Sequence, residues 1–380
     1  MWSLLILAFG AFVAQTTEYL PIGLLPHIAG DFDVSNSLVG ALVTGYAWIA
    51  AVTAIPLTLV TVRLNRRTLF LGLLSLLTLA NVLSALASSY EWLAVCRVIV
   101  ALTHGVFWSI IAAFATRVAP RMPAARSTAW VFSGISGAVV FGVPLATAIG
   151  QNFGWRSAFG AMAMLGFIAI GAALVALPKH VEAPADIDAR LPTGNGMLYA
   201  AAAITALGLT AHFCAYTYVL PLLDRVAGVP LPAVPGLLFV SGLAGIAGNA
   251  AGGWLSARSR ECVVFAIAGI VAVQASLLLG SRYHGLAWID MAIWGASISL
   301  LIVGLQGWIL QIAPDRADAA SALYVAMFNM GIGSGALLGG IAIEANGLAS
   351  VLYAGMSCGL LALGALVLTA GTLLTNSPKA

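Results

Sequence analysis

The stretch Gln15-Thr16-Thr17-Glu18-Tyr19-Leu20-Pro21 lies inside an apolar run that begins at Trp2 and reaches about Ile28. It is a polar island in sequence otherwise suited to hydrocarbon, and its reading decides the fold. A carboxylate within a membrane span is costly, and such groups face a protein interior or a water-filled path. Pro21 lacks an amide hydrogen, so it also frees a main-chain carbonyl one turn earlier. An acidic, proline-broken first span points to a solute carried across the membrane, with protons involved.

The rest of the chain agrees with a membrane setting. Hydrophobic residues make up 61% of it and charged residues 8%, where a soluble domain carries about a quarter charged. The mean hydropathy is +1.03. A polytopic, all-α membrane protein follows. The net charge of +3 is small and gives no ground for a nucleic-acid partner. Cys96, Cys214, Cys262 and Cys358 are far apart and show no metal-ligand spacing, so they read as small buried hydrophobes. No metal or cofactor is expected. The first segment lacks a basic leading region and is too long for a signal sequence, so no cleavable leader is expected.

Twelve hydrophobic segments reach spanning length, about 20 residues or more. They lie near 2–28, 35–62, 68–87, 91–118, 125–149, 155–177, 196–224, 232–257, 262–281, 285–312, 317–343 and 348–373. The longest polar stretch, 178–195, separates the first six from the last six. It reads as a linker between an N-terminal half, 1–177, and a C-terminal half, 196–380. With both termini on one side, that face receives twelve of the 16 basic residues, among them Arg63, Arg66, Arg67, Arg117, Arg121 and Arg126. By the positive-inside rule this face is cytoplasmic.

The halves also echo each other. At an offset of 194, Ala119-Pro120 matches Ala313-Pro314, and Ala125, Ser127, Val131 and Gly137 match Ala319, Ser321, Val325 and Gly331. A parallel repeat of six plus six helices is a transporter architecture, with the substrate site expected near the midplane between the halves.

Polar residues inside the spans mark candidate sites. Arg97, His104 and Trp108 share one face of span four. Arg97 and Glu18 lie within roughly one helical turn in depth at ~1.5 Å per residue. They read either as a static buried ion pair or as a titratable pair that swaps partners. His104 reads as a hydrogen-bonded interior histidine or a proton relay. In span seven His212 and Tyr216 share a face and offer hydrogen bonds beside aromatic surfaces. That lining suits a neutral, hydroxyl-rich solute, whereas Tyr218 fits an interfacial aromatic belt better. Asn329 is the polar residue of span eleven, with Gln15 and Trp108 as further substrate contacts. Asn249, Gln306 and Trp294 are weaker candidates. Gly142-Val143-Pro144 should bend span five and admit a neighbour, as packing or as a gate. No phosphate-binding loop, nucleophile elbow or zinc motif is present, so an enzyme is not supported.

These strings resemble the major facilitator superfamily, and within it the twelve-span drug:H+ antiporter group. Thr16-Thr17-Glu18-Tyr19-Leu20-Pro21-Ile22-Gly23-Leu24-Leu25-Pro26 resembles the first-span signature. Arg97 with Gly105 resembles the fourth-span motif, and Gly142-Val143-Pro144 the antiporter motif of span five. His104-Gly105-Val106-Phe107-Trp108-Ser109-Ile110, Thr210-Ala211-His212 and Phe328-Asn329-Met330-Gly331-Ile332-Gly333 are similar to the bacterial sugar efflux transporters. The resemblance implies proton-driven export of sugars such as arabinose or thiogalactosides, with proton coupling at Glu18, Arg97 and His104. It also implies a monomer in the bacterial inner membrane and the proton gradient as energy source. A multidrug exporter of the same fold, or an uncoupled facilitator, are the alternatives. One departure stands out. The superfamily loop between spans two and three carries an Asp where this chain has Val62 and a second Gly where it has Asn65. The basic part, Arg63, Arg66 and Arg67, survives, but the charge latch ascribed to the Asp is in doubt.

Overall fold

The computed structural model describes residues 1–61, 63–122, 124–179, 181, 195–279, 284–314 and 317–375. In chain order the helices are α1 (Trp2–Phe32), α2 (Asn36–Thr61), α3 (Arg66–Ala85), α4 (Tyr90–Val118), α5 (Ala124–Gly137), α6 (Val143–Phe153) and α7 (Trp155–Ala176). They continue with α8 (Gly196–Tyr216), α9 (Val219–Pro221), α10 (Val234–Trp254), α11 (Ser259–Leu279), α12 (His284–Ile312), α13 (Ala317–Asn346) and α14 (Ser350–Thr375). A wider, π-type turn over Ala138–Gly142 joins α5 to α6, and another over Leu222–Val226 follows α9. Among the described residues there is no strand, and twelve helical stretches are long and apolar enough to cross a membrane.

Helices satisfy their own main-chain groups, which is what hydrocarbon demands. Large apolar side chains such as Phe167, Val175, Trp254 and Leu368 stand exposed. In water such a surface would aggregate; against lipid tails it costs nothing. The chain is a multi-pass membrane protein of all-α architecture. Its helix starts are capped by side chains: Asn65 accepts from the amides of Arg67 and Thr68, Ser89 from Trp92 and Asn195 from Leu198. Gly154 (φ 83) and Gly347 (φ 81) end α6 and α13 in the left-handed region, where a side chain would be strained.

The chain divides into two compact units. The first is Met1–Ile187 with Val234–Phe239, the second Asp188–Ala233 with Val240–Ala380. The linker expected over 178–195 lies almost wholly outside the described residues. In the first unit α1 packs on α5, α6 and α7, α2 on α4, and α3 on α4 and α7. In the second, α8 packs on α13 and α14, and α11 on α12 and α14. With α10 also against α12, where Gly248 meets Ala296 and Gly295 meets Ser241, the pairings correspond helix for helix. The offset of 194 seen in the loops also separates the first residues of α1 and α8, and of α4 and α12. α1 and α8 are the most buried of the described spans.

Small residues set how close these helices come. On α5 and α6, Gly134, Gly142 and Gly150 recur every eight residues, and a Cβ at each would collide with Ala8, Thr16 and Leu24 of α1, which recur every eight as well. On α13, Gly331, Gly335 and Gly339 likewise receive α8 at Ala206 and Leu209, at Thr210, Phe213 and Cys214, and at Cys214 and Tyr218. Close contact of this kind replaces the hydrophobic effect as the force between helices in lipid.

Two sequence expectations change here. Span seven is not one helix to residue 224. Pro221 cannot donate to the carbonyl of Thr217, and the helix stops at Tyr216 before resuming as α9. Tyr218 is not part of an interfacial belt. It is fully buried, and its hydroxyl donates to the carbonyl of Ala336 at 2.9 Å, in space that Gly339 leaves open.

Gly134→Ala places a methyl against the main chain of Ala8 and should lower stability by about 1–3 kcal/mol through overpacking. Gly171→Ala, where nothing lies within 4 Å of the new methyl, should be neutral or slightly stabilising. Thermal unfolding of the purified protein checks the pair, and equal melting temperatures for both variants would reject the close-contact account.

Candidate functional site

In the first unit a polar layer crosses four helices at the level of the opening stretch. Pro21 leaves the carbonyl of Thr17 without its helical donor. Arg97 of α4 supplies one: Nη1 donates to the Thr17 carbonyl at 2.9 Å and Nη2 to the Glu18 carbonyl at 3.0 Å. Arg97 is only 3% exposed, and its guanidinium lies 4.8 Å from the centre of the Tyr46 ring. Asn81 of α3 donates to the Thr17 hydroxyl at 3.0 Å. The arginine thus holds the main chain of Glu18, and its hydrogen bonds do not go to the carboxylate. This differs from the direct ion pair considered from sequence. The reason is local: the carbonyl that Pro21 frees at Thr17 is a fixed acceptor, and in the membrane it must be filled.

The Glu18 carboxylate, 9% exposed, has other partners. Gln15 Nε2 donates to Oε2 at 2.9 Å, and His104 Nδ1 lies 3.7 Å from the same oxygen. That histidine nitrogen also receives the indole N–H of Trp108 at 3.2 Å and lies 2.6 Å from the Tyr46 hydroxyl. An indole nitrogen only donates, so Nδ1 is an acceptor here and the ring N–H sits at Nε2. A proton on Nδ1, which an ion pair with Glu18 requires, would face the Trp108 N–H. The two arrangements exclude each other. A small cavity, with room for about one water molecule, is lined by Ala14, Tyr46, Thr103, His104, Phe107 and Trp108.

In the second unit His212 of α8 is buried, and Trp294 of α12, 0% exposed, donates its indole N–H to His212 Nδ1 at 2.9 Å. The same donor logic leaves the His212 proton on Nε2. Tyr216 stacks on the imidazole with ring centres 4.7 Å apart, and its ring meets Trp294 edge-on at 5.7 Å. Asn329 of α13 donates to the carbonyl of Val325 at 3.0 Å and leaves Oδ1 buried without a partner. Gln274 of α11 donates to the carbonyl of Ala211 at 2.7 Å, and its Oε1 is also unpartnered. The group around His212 is rich in aromatic faces, with a fixed N–H donor, while Asn329 and Gln274 hold unpartnered amide oxygens on α13 and α11.

The structure therefore brings Gln15, Glu18, Arg97, His104 and Trp108 into one network, and His212 and Tyr216 into another. Gly142 ends the π-type turn and lies against Thr16, two residues before Pro144 in the first turn of α6. Arg63, before α3, is exposed; at the start of α3 Arg66 is buried and Arg67 half-buried. Asn249 and Gln306 are exposed. Sequence reading passed over Tyr46, Asn81 and Gln274, whose partners are remote in the chain. It also passed over Asp290, a carboxylate inside an apolar run, which is 4% exposed and accepts from Ser276 at 3.1 Å. The same signal that picked out Glu18 would have found it. The repeat offset holds a further signal: it carries Glu18 onto His212. The two networks grow from the same position of the repeat.

Twelve spans in two repeated units, with buried polar clusters on the first helix of each, define a membrane transporter and not an enzyme. The chain belongs to the Major Facilitator Superfamily, whose model matches residues 7–336. It is 34% identical over 361 residues to a probable sugar efflux transporter of Helicobacter pylori, covering 94% of this chain and 92% of that one. A probable sugar efflux transporter of Mannheimia succiniciproducens is 35% identical over 358 residues, covering 93% and 90%. Two solved structures share the fold. One is a bacterial homolog of the human lysosomal transporter Spinster, inward-facing and occupied, with a TM-score of 0.75 at 16% identity over 98% of each chain. The other is the nucleoside transporter NupG, with a TM-score of 0.77 at 14% identity over 96% of this chain and 98% of that one.

Arg97→Ala leaves the Thr17 carbonyl bare and takes a second donor from the Glu18 carbonyl, and should cost about 1–3 kcal/mol, the penalty for one unsatisfied buried acceptor. Pro21→Ala restores an amide donor for the Thr17 carbonyl. In that background the loss from Arg97→Ala should shrink by about 1 kcal/mol or more. A double-mutant cycle by denaturant unfolding in detergent reads the coupling, and strict additivity would reject the carbonyl-clamp account.

Proposed function

We propose that this transporter exports small neutral, hydroxylated solutes, sugars such as arabinose or thiogalactosides, in exchange for protons. The observation that carries the reading is Glu18: a buried carboxylate whose side-chain partners are an amide and a neutral imidazole. A carboxylate kept from water favours its protonated form, and a nearby guanidinium favours the ionised form. Glu18 lies between these influences, since Arg97 binds its main chain while leaving its oxygens to neutral groups. Movement of α4 against α1 would alter that balance and load or release a proton. His104 tunes the site through its acceptor nitrogen, with Trp108 holding its tautomer. The names of the 34–35% identical relatives support sugar as the cargo.

Substrate recognition falls to His212, Tyr216 and Asn329, with Gln15 and Trp108 as contributors. The Nε2–H of His212 donates to a hydroxyl oxygen, the free Oδ1 of Asn329 accepts a hydroxyl proton, and aromatic rings take the apolar face of a sugar. The protein acts as a monomer in the bacterial inner membrane with both termini in the cytoplasm, where its arginine-rich face belongs. Cysteine labelling within 178–195 of intact cells tests the orientation. Reaction with a membrane-impermeant reagent from outside would overturn it.

The direct experiment is a panel of sugars and cationic drugs in proteoliposomes, with and without an imposed pH gradient. Uphill movement of a sugar only under the gradient supports the reading. Drug movement alone, or sugar movement indifferent to the gradient, contradicts it. Glu18→Gln mimics the protonated state. It should keep solute exchange at equal pH and lose uphill transport, so a wild-type rate against a gradient would move the proton site elsewhere.

His212→Ala and Asn329→Ala should each weaken sugar binding several-fold, about 1 kcal/mol or more per lost hydrogen bond. Calorimetry on the purified variants measures this, and unchanged affinity in both would remove them from the site.

A further inference from the structure

The first turn of α3 carries two arginines and no acidic residue. The N-terminus of a helix is itself positive, so this arrangement repels rather than balances charge. Arg66 is 2% exposed. Its main-chain amide donates to the carbonyl of Val181 at 3.1 Å, yet the side-chain nitrogens Nε and Nη1 are both buried without a partner. The neighbouring charge acting on it is Arg117, of like sign, in the last turn of α4. Arg67 donates Nη2 to the carbonyl of Leu174 at 2.6 Å and leaves Nε buried and unpartnered. Arg63 and Arg121 stand exposed nearby in the chain. Among the described residues no carboxylate lies within ion-pair distance of these arginines; the arginine that does meet a carboxylate there is Arg156, with Asp31. A buried cation without a counter-charge costs several kcal/mol. The loop has Val62 where its superfamily carries an Asp, so no carboxylate stands at that position.

We propose that the start of α3 is a binding site for a phosphate-type anion, held by Arg66, Arg67 and Arg117 at the helix N-terminus. Guanidinium groups match phosphate oxygens in geometry and charge, and a helix N-terminus adds to the attraction. The ligand supplies the negative charge that the loop lacks and ties α3 to α4. Its chemistry is that of an anionic phospholipid headgroup or of free phosphate. Arg67 anchors one side through Leu174 of α7, so occupancy would stiffen the contact between α3, α4 and α7.

The test uses the full chain, delipidated in a mild non-ionic detergent. Phosphatidylglycerol, diacylglycerol and inorganic phosphate are added separately, and binding is read by native mass spectrometry and melting temperature. Phosphatidylglycerol should bind and raise the melting temperature, while diacylglycerol, which lacks the phosphate, should do neither. Protection by millimolar inorganic phosphate as well would assign the site to the free anion; protection by the lipid alone would assign it to the headgroup. Arg66→Gln and Arg117→Gln should each weaken phosphatidylglycerol binding about tenfold, the equivalent of one charge-assisted hydrogen bond. Because Arg66 is buried, the half-buried Arg117 keeps the test valid if Arg66→Gln fails to fold. The proposal is overturned if both variants bind the lipid like the wild type, or if neither phosphate compound protects. It is also overturned if binding appears only after Glu182, Asp186 and Asp188 are neutralised, since the chain's own acids would then occupy the arginines.

Discussion

A guanidinium holding two main-chain carbonyls is the interaction from which the first unit is organised. Pro21 removes a donor from the middle of the most buried helix, where surrounding hydrocarbon offers none in its place. Arg97 fills the gap, and the solution brings a buried positive charge that needs its own surroundings. The Tyr46 ring supplies one face. Because the arginine is spent on the main chain of Glu18, the carboxylate is free to take Gln15 and to approach His104. A proline, an arginine and an acid thus form one chain of consequences. Removing the arginine or the acid leaves a polar group stranded in a low-dielectric interior.

The second organising constraint is close approach. α1 against α5 and α6, and α8 against α13, are helix pairs of the same kind in the two units, and each is set by a row of glycines. In lipid there is no hydrophobic gain from bringing helices together, so contact quality decides. Rigid pairs of this kind hold α1 and α8 as central members. Gln15 and Glu18 are carried on α1 and His212 and Tyr216 on α8, which gives each network a fixed base.

The units share a plan but differ in chemistry at the same repeat position. Glu18 in the first unit is answered by His212 in the second. In both units an indole N–H is aimed at a histidine Nδ1, Trp108 toward His104 and Trp294 toward His212. The effect is to pin both imidazoles in the form that presents Nε2–H. An acid beside a pinned imidazole suits proton handling, whereas an imidazole among aromatic rings suits hydroxyl recognition. The proposed division of labour between the units follows from that difference.

Much of this was legible in the chain alone. Twelve spans, two repeated halves and the membrane setting follow from hydrophobic run lengths, because hydrocarbon allows few alternatives to the helix. Glu18, Arg97, His104 and His212 were legible because a polar residue in an apolar run is conspicuous. What the chain alone did not determine was who meets whom. Arg97 binds carbonyls and not the carboxylate, Trp294 faces His212 and not lipid, and Tyr218 is buried and not interfacial. Span seven breaks at Tyr216. These outcomes depend on the rotation and depth of helices packed against one another. Such packing is set by the close fit of many small side chains, remote in the chain, and periodicity along a single helix carries no record of it.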